Sequence, residues 1–290
     1  MLGLKRGTVQ LYEREKEWEV EAQNSMLRLK KILGLVIQAI QHIGSTAIPS
    51  IKAKPIIDLA IAVNDFDDIL AFEKELQKEG LYYQRQASLP GQLLFTAGRF
   101  YDGTGDLETH FVYVVHSSSM DWVNHINFKD YLNSTPSAAT AYEHLKLTLA
   151  SQLPSQGDKE KYQEGKFDFI IYTHRKALVR SYLGKTIAIK IDRPLGSVHP
   201  KHPDIIYPVN YGYLPGVFSG DGEELDVYLL GVNEPVADYE GRVIGIAYRE
   251  DDIEDKLIAA PAGVRFTKEQ IEQVISFQEQ YFKTTIEILQ

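Results

Sequence analysis

Apolar and polar positions change their period twice along the chain, and those changes divide it. In residues 12–33, "YEREKEWEVEAQNSMLRLKKIL", apolar residues recur at near-helical spacing on a charged background, which predicts a helix. "VIQAIQHIG" and "PIIDLAIAV" are short and β-branched, hence strands. Asp65 to Gly80 predicts a helix stopped by glycine, and "GQLLFTAG" and "LETHFVYVV" predict two more strands. From Ser119 to about Ala177 the spacing turns helical again, in three pieces: "SMDWVNHINFKDYLN", "SAATAYEHLKLTLASQL" and "DKEKYQEGKFDFIIYTHRKAL". Near "THRKALVRSYLGK" the character changes. After Gly184 come short β-rich stretches, "TIAIKI", "LDVYLLG", "RVIGIAYR" and "KLIAAP", broken by proline and glycine, which predict a small barrel. A last helix, "TKEQIEQVISFQEQYF", opens with Thr267 and Gln270 at capping-box spacing. The expected architecture is two domains, an α+β domain over 1–177 and a small OB-like β-barrel with a C-terminal helix over 184–290.

Composition sharpens this picture only in places. A length of 290 residues suits two cores better than one. The absence of cysteine removes disulfides and thiolate-held metals and makes a reducing cytoplasm the easiest setting. The start has no signal-peptide core, and no apolar run approaches the roughly 20 residues that span a bilayer, so a soluble protein without a membrane partner is expected. The net charge of −9 is unevenly placed: residues 184–290 hold 18 Asp+Glu against 10 Lys+Arg, and the first 183 hold 22 against 21. No basic footprint for nucleic acid is present in either half. The acid excess makes divalent cations candidate partners of the second half.

That excess is concentrated in chemistry-bearing order. "IDRPLGS" puts Asp192 and Arg193 at a strand end; "HPKHPDIIYPVNYGYLP", "DGEELD" and "EDDIEDK" follow. Asp221, Glu223, Glu224 and Asp226 fall within six positions. Taken alone, they are an acidic loop. Lysines and tyrosines interleave with the acids, however. Magnesium takes oxygen ligands and binds through a few carboxylates plus phosphate oxygens. Such ions activate a water and neutralise a phosphoanhydride, while lysine and tyrosine donors hold the phosphates.

At these residues the second half resembles the soluble (type I) inorganic pyrophosphatases. "YPVNYGYLP" matches the family's Y-P-x-N-Y-G-[FY]-x-P, and "DGEELD" matches D-G-D-P-L-D with Glu223 and Glu224 substituted. The resemblance implies that Asp221 and Asp226 ligate Mg2+ and that Glu223 accepts the proton of the attacking water. It places Glu254 at the aspartate of the family's D-x-K and makes Lys256 a phosphate ligand. Tyr211 and Tyr281 become hydroxyl donors to phosphate, and Asp192 fits an early glutamate. The stretch between Asp192 and Tyr207 is about half the family's length, leaving Lys201 and Arg193 as the candidates for a missing lysine and arginine. Arg249 stands where a further metal-binding aspartate is expected, with Asp251 or Asp252 as substitutes after a shift. Asp251, Asp252 and Asp255 also read as a solvated turn. Phe282 follows Tyr281 where a lysine is usual, with Lys283 one step later.

In the first half, a strand, a Gly-Ser turn and a strand with one acid make a phosphate-and-metal pattern. A second acid two residues later would share its face, but that place is Ala60. "HIGSTAIP", "KPIID", "FKDYL", "AYEHLK" and "YQEGKF" are similar to the elements of the GrpB family, counted among the nucleotidyltransferase-like proteins, over roughly residues 8–176. The resemblance implies a phosphate site with His42, Ser45, Lys54 and Asp58, the last as a metal ligand. His110 lies nearby, and Asp130, Tyr142, Lys146 and Lys166 come from the helices. Glu108 is the candidate for the missing second charge.

Three readings stay open. The first is a Mg2+-dependent hydrolase of inorganic pyrophosphate fused to a nucleotidyltransferase-like domain, with a nucleotide as a further partner and a homo-oligomer allowed. In the second, the first half is the enzyme and the barrel a degenerate binder. In the third, neither half catalyses, and both bind nucleotides or phosphates.

Overall fold

The computed structural model describes residues 1–152, 159–200 and 202–289. The chain divides into two compact units, Met1–His174 and Arg175–Gln290. Among the described residues, no helix is long and apolar enough to cross a membrane.

The elements up to Ser181 run β1 (Leu4–Lys5), α1 (Lys16–Leu33), β2 (Ala39–Ile43), β3 (Ile57–Val63), α2 (Phe66–Leu70), α3 (Glu73–Lys78), β4 (Leu81–Tyr83), β5 (Gln92–Ala97), α4 (Arg99–Asp102), β6 (Leu107–Glu108), β7 (His110–His116), α5 (Met120–Ser134), α6 (Pro136–Gln152), α7 (Lys159–Glu164) and α8 (Phe167–Ser181). Five strands form a sheet in the order β2-β3-β7-β5-β4, and β1 pairs with β6. Only the β3–β7 pair is parallel; the other pairs of the sheet are antiparallel. Strand side chains alternate between faces, so Leu59, Ile61 and Val63 join Val112 and Val114 in one core with Trp18, Ala22, Leu29 and Leu33 of α1. Those α1 positions recur at intervals of four or seven residues, the stripe a helix must bury. Asp58 faces the other side, where Leu132 of α5 and Ala139 and Tyr142 of α6 pack with Ile48 and Ile51.

Three predicted elements come out divided. Asp65–Gly80 contains two short helices, with Asp65 capping the first through the Asp67 N–H. "LETHFVYVV" holds two strands, parted at Thr109. The third helical piece breaks at Gly165, where the chain also presses on α6 so closely that a Cβ would lie 2.5 Å from Leu149 Cδ2; the ends of the second and third pieces, Leu153 and Asp158, lie outside the described residues.

The second unit holds β8 (Thr186–Arg193), β9 (Asn210–Phe218), β10 (Glu224–Leu229), β11 (Asp238–Arg249), β12 (Lys256–Ala260), α9 (Lys268–Glu279) and β13 (Thr284–Ile288). The strand order β12-β10-β9-β8-β11 closes on itself through a β12–β11 pairing, which makes a five-stranded barrel, and β13 adds to β11. Closure removes the unpaired edges that an open sheet exposes. β8 alternates strictly, and Ile187, Ile189 and Ile191 enter an apolar core with Val227, Leu229 and Leu257. On the opposite face Tyr211, Tyr228 and Ile258 pack under Ile271 and Ile275 of α9. The Thr267–Gln270 capping box forms in both directions. The fold is thus an α+β domain followed by a small barrel with a C-terminal helix.

Candidate functional site

Register assembles the barrel's acidic cluster. Tyr228 of β10 lies opposite Tyr211 of β9 and beside Ile258 of β12, so Asp226, two residues back, shares a face with Tyr211 and Lys256. Lys256 is 1% exposed. Its ammonium donates to Tyr211 Oη at 2.7 Å, to Glu254 Oε2 at 3.1 Å and to Asp226 Oδ2. Tyr211 also donates to Asp226 Oδ2, and burial together with that carboxylate pushes its phenol well above the ordinary range. Gly212 makes the closeness possible: a Cβ there would meet Lys190 O at 1.9 Å, where β8 and β9 converge.

Asp221 comes from the turn before β10. Its Oδ1 accepts from Ser219 Oγ at 2.8 Å and from the Glu223 N–H at 3.0 Å. A hydrogen bond with the Glu254 carboxyl, helped by these donors, draws Asp221 down to about 2. Burial and the same contact raise Glu254. Two carboxyls from separate segments therefore lie close to each other, with Lys256 and Arg249 as the cations beside Glu254. Glu223 is exposed on that turn. Asp192 pairs with Arg193 at 2.8 Å, and burial raises it.

The other candidates separate. Asp251 accepts the Lys283 backbone N–H at 2.8 Å, which ties it to the turn after α9. Tyr281 is 62% exposed. Lys201 lies outside the described residues. Asp255 is no solvated turn residue: it is 3% exposed and accepts from Lys176 at 2.6 Å. Arg249 is buried as well. It forms a two-pronged pair with Glu279 at 3.0 and 2.7 Å, pairs with Asp252 at 2.8 Å and lies 3.5 Å from Glu254, with its guanidinium 3.6 Å from the Phe282 ring centre. Where an acid was expected, a fixed internal cation sits among the acids. Glu279 escaped the sequence reading, yet its spacing of eight from Ile271 and four from Ile275 puts it on the buried stripe of α9.

In the first unit, a cavity of about 250 Å3 opens on the Asp58 side of the sheet. Ser45, Lys54 and Asp58 all line it, as do Tyr142, Lys146 and Lys166. Phe111 and Tyr113, opposite Asp58 and Ala60 across the parallel pair, enter the same wall. The pleat separates His42 and His110 from them. His42 pairs across from Leu59 and contacts Thr46 at 2.9 Å, while His110, opposite Ile57, contacts Ser25 of α1 at 3.2 Å. Neither is in the cavity with Asp58. Glu108 accepts the Tyr101 hydroxyl at 2.7 Å and is absent from the residues lining the cavity. Asp130 pairs with Lys129 at 3.2 Å and is likewise absent from that lining. The glycine of the Gly-Ser turn has a structural reason: at φ 69° it lets the turn press on the strand, and a Cβ on Gly44 would come 2.3 Å from Asp58 Oδ2. Among the described residues, no group of three or more His, Asp or Glu side chains converges to hold a metal ion.

Residues 8–176 match the family model described as GrpB protein. The chain belongs to the GrpB family. The glutamate-rich protein GrpB of Alkalihalophilus pseudofirmus is 35% identical over 171 residues, 59% of this chain and 96% of that protein. The crystal structure of the conserved protein GrpB from Enterococcus faecalis covers 60% of this chain and 99% of its own, at 28% identity and a TM-score of 0.54. Beyond the part matched by GrpB, residues 180–288 match the family model described as inorganic pyrophosphatase. The inorganic pyrophosphatase of Haemophilus influenzae is 35% identical over 88 residues, 29% of this GrpB-family chain and 46% of that enzyme. The chain thus spans less than half the length of the curated pyrophosphatases it matches.

Proposed function

We propose that the barrel hydrolyses inorganic pyrophosphate to phosphate with the help of Mg2+. The observation that carries this reading is the cross-strand cluster in which Tyr211, Lys256 and Asp226 meet, beside the Asp221–Glu254 carboxyl pair. The donor set is oxygen alone, which fits a hard dication, and an ion between Asp221 and Glu254 would relieve the repulsion of the two carboxylates. Those two carboxylates would hold it, with Asp226 and Asp192 adding negative charge nearby. Bound there, the ion lowers the pKa of water and neutralises phosphate oxygens. Lys256 and Tyr211 would hold the diphosphate by turning towards it donors now spent on Asp226 and Glu254, and Arg193 supplies a further positive charge. Glu223, on the same turn as Asp221, takes the proton as water oxygen attacks phosphorus and the second phosphate departs. Arg249 occupies the place of an additional carboxylate, so the site is expected to need fewer ions than one built wholly of acids.

Phosphate release from pyrophosphate with Mg2+, compared between the wild type and Asp226→Asn, tests the reading. A loss of roughly a hundredfold or more is expected, the scale for removing one preorganised electrostatic group. Equal background rates in both proteins sink it, and release from a nucleotide instead reassigns the substrate. For the first unit we read a phosphate-bearing ligand, a nucleotide first, supported by the lysines and aromatic rings around the Asp58 cavity.

A further inference from the structure

The cavity beside Asp58 has a charge pattern opposite to that of a metal-assisted transfer site. Among the described residues lining it, Asp58 is the sole carboxylate, against the ammonium groups of Lys54, Lys146 and Lys166. These three cations gather on two phenol rings. Lys54 and Lys166 stand 5.3 and 4.7 Å from the Tyr162 ring centre, and Lys146 stands 4.8 Å from that of Tyr142. Lys146 is 1% exposed and Tyr162 also 1%, so this is an enclosed group of charges rather than a solvated surface. Among the described residues, the Lys146 Nζ donates once, to the Lys52 carbonyl at 2.6 Å. An ammonium has three donors. Like charges held close in a poorly screened interior repel, and an anion among them removes that repulsion. Phe111, Tyr113 and Phe128 give the remaining wall an aromatic face. The volume is at the small end for ligand pockets, which run from roughly 300 Å3 upward.

We propose that this cavity binds a small phosphate monoester carrying an aromatic ring, of the nucleoside monophosphate class, with the phosphate held by Lys54, Lys146 and Lys166 and no metal ion required. The inference rests on the reading of the first unit as a phosphate binder and names how it binds. A dication would need further carboxylates, and the second strand position that could offer one is Ala60. Binding also moves a proton. Burial, followed by repulsion from Lys166, outweighs Glu143 on its own helix and brings Lys146 to about 7, with Lys54 acting in the same sense. Lys54, Asp58 and Tyr113 face the cavity from the strand side, His125 from α5, Tyr142 from α6, Tyr162 and Lys166 from the segment after it, and His174 from α8. An arriving phosphate dianion favours the charged ammonium, so complex formation takes up protons near pH 8.

Calorimetry on the full chain with AMP, ribose 5-phosphate and inorganic phosphate as probes, in chelator, tests this. The expected order is AMP tightest and inorganic phosphate weakest. AMP affinity should fall about tenfold in Lys54→Gln and in Lys166→Gln, both half-exposed positions whose folding is checked by thermal melting. It should persist in Asp226→Asn, which separates this site from the barrel. It should also weaken between pH 7 and 8.5, with a heat that depends on the buffer's ionisation enthalpy. Binding of AMP only with Mg2+, or binding insensitive to both lysine variants, overturns the metal-free lysine site but leaves a phosphate-binding first unit standing. No binding of any probe, with or without Mg2+, removes both.

Discussion

The two units handle the same problem, charge in a confined space, with opposite signs. In the barrel, acids from β10 and two turns surround buried cations, Lys256 and Arg249. In the first unit, three lysines surround a single strand acid. The difference shows what each arrangement can accept. A carboxylate cluster already threaded by protein cations has room for a small number of further positive charges and for the phosphates that accompany them. A lysine cluster around one acid takes an anion and gains little from a metal. One chain therefore holds two charged clusters built on different electrostatic plans.

The largest effect expected from breaking this contrast is at Arg249. Arg249→Met leaves the Glu279 carboxylate buried without its two-pronged partner and should lower the barrel's stability by about 3–5 kcal/mol, read as a shifted urea midpoint in tyrosine near-UV dichroism. Acid should then divide the units. Burial holds His42, His110 and His174 of the first unit down at about 4. Between pH 6.5 and 4 the unfolded chain therefore binds protons that the folded unit does not, and stability falls with pH, by about 2–3 kcal/mol for buried His110. In the barrel, burial would raise Glu279, but hydrogen bonds from Arg249, Thr284 and Tyr228 hold it below its usual value, so its loss begins only below about pH 4.5. Trp18 and Trp122, the two tryptophans of the chain, both belong to the first unit. Their fluorescence should complete its change at a higher pH than tyrosine dichroism, to which the barrel's own tyrosines add a later phase; coincident curves contradict the separation.

Smaller changes sharpen it. Gly44→Ala forces a side chain into left-handed backbone and against Asp58, a cost of about 2 kcal/mol seen only in the tryptophan-monitored melt. Thr267→Ala removes the cap of α9 and should cost about 1 kcal/mol, in the barrel alone. The smallest effect has the most informative sign. Asp58→Asn removes the one carboxylate among the described residues lining the cavity and should strengthen AMP binding a few-fold, whereas Asp226→Asn in the barrel is expected to cut phosphate release about a hundredfold or more. A weakened AMP complex in Asp58→Asn would mean that the strand acid holds a cation after all.

Much of this was legible in the residues because it is local. The β-rich stretch "TIAIKI" marked most of the strand Thr186–Arg193, and the Thr267–Gln270 spacing marked the start of α9. β9 was quoted as a motif rather than read as a strand, since Gly212, Pro215 and Gly216 interrupt its pattern while the register it keeps delivers Tyr211 to Asp226. The face that a strand residue chooses was the main loss. His42 and His110 share a motif with Asp58 or a strand pair with its neighbours, but period-two geometry sends them to the other side of the sheet. Pairings between distant segments, such as Arg249 with Glu279 or Lys146 with the Lys52 carbonyl, leave no local signature at all.

The Arg249–Glu279 pair has a consequence for how the molecule is made. The first unit's sheet is complete once His116 has been synthesised, but the barrel's Arg249 lacks its two-pronged acceptor until thirty more residues have been added. At ribosomal speeds of about 5–20 residues per second, that is a delay of roughly 2–6 s. During this interval a nascent barrel cannot bury its guanidinium with both Glu279 contacts in place, so α9, with β13 just after it, fastens the barrel late, when the sheet of the first unit is already made.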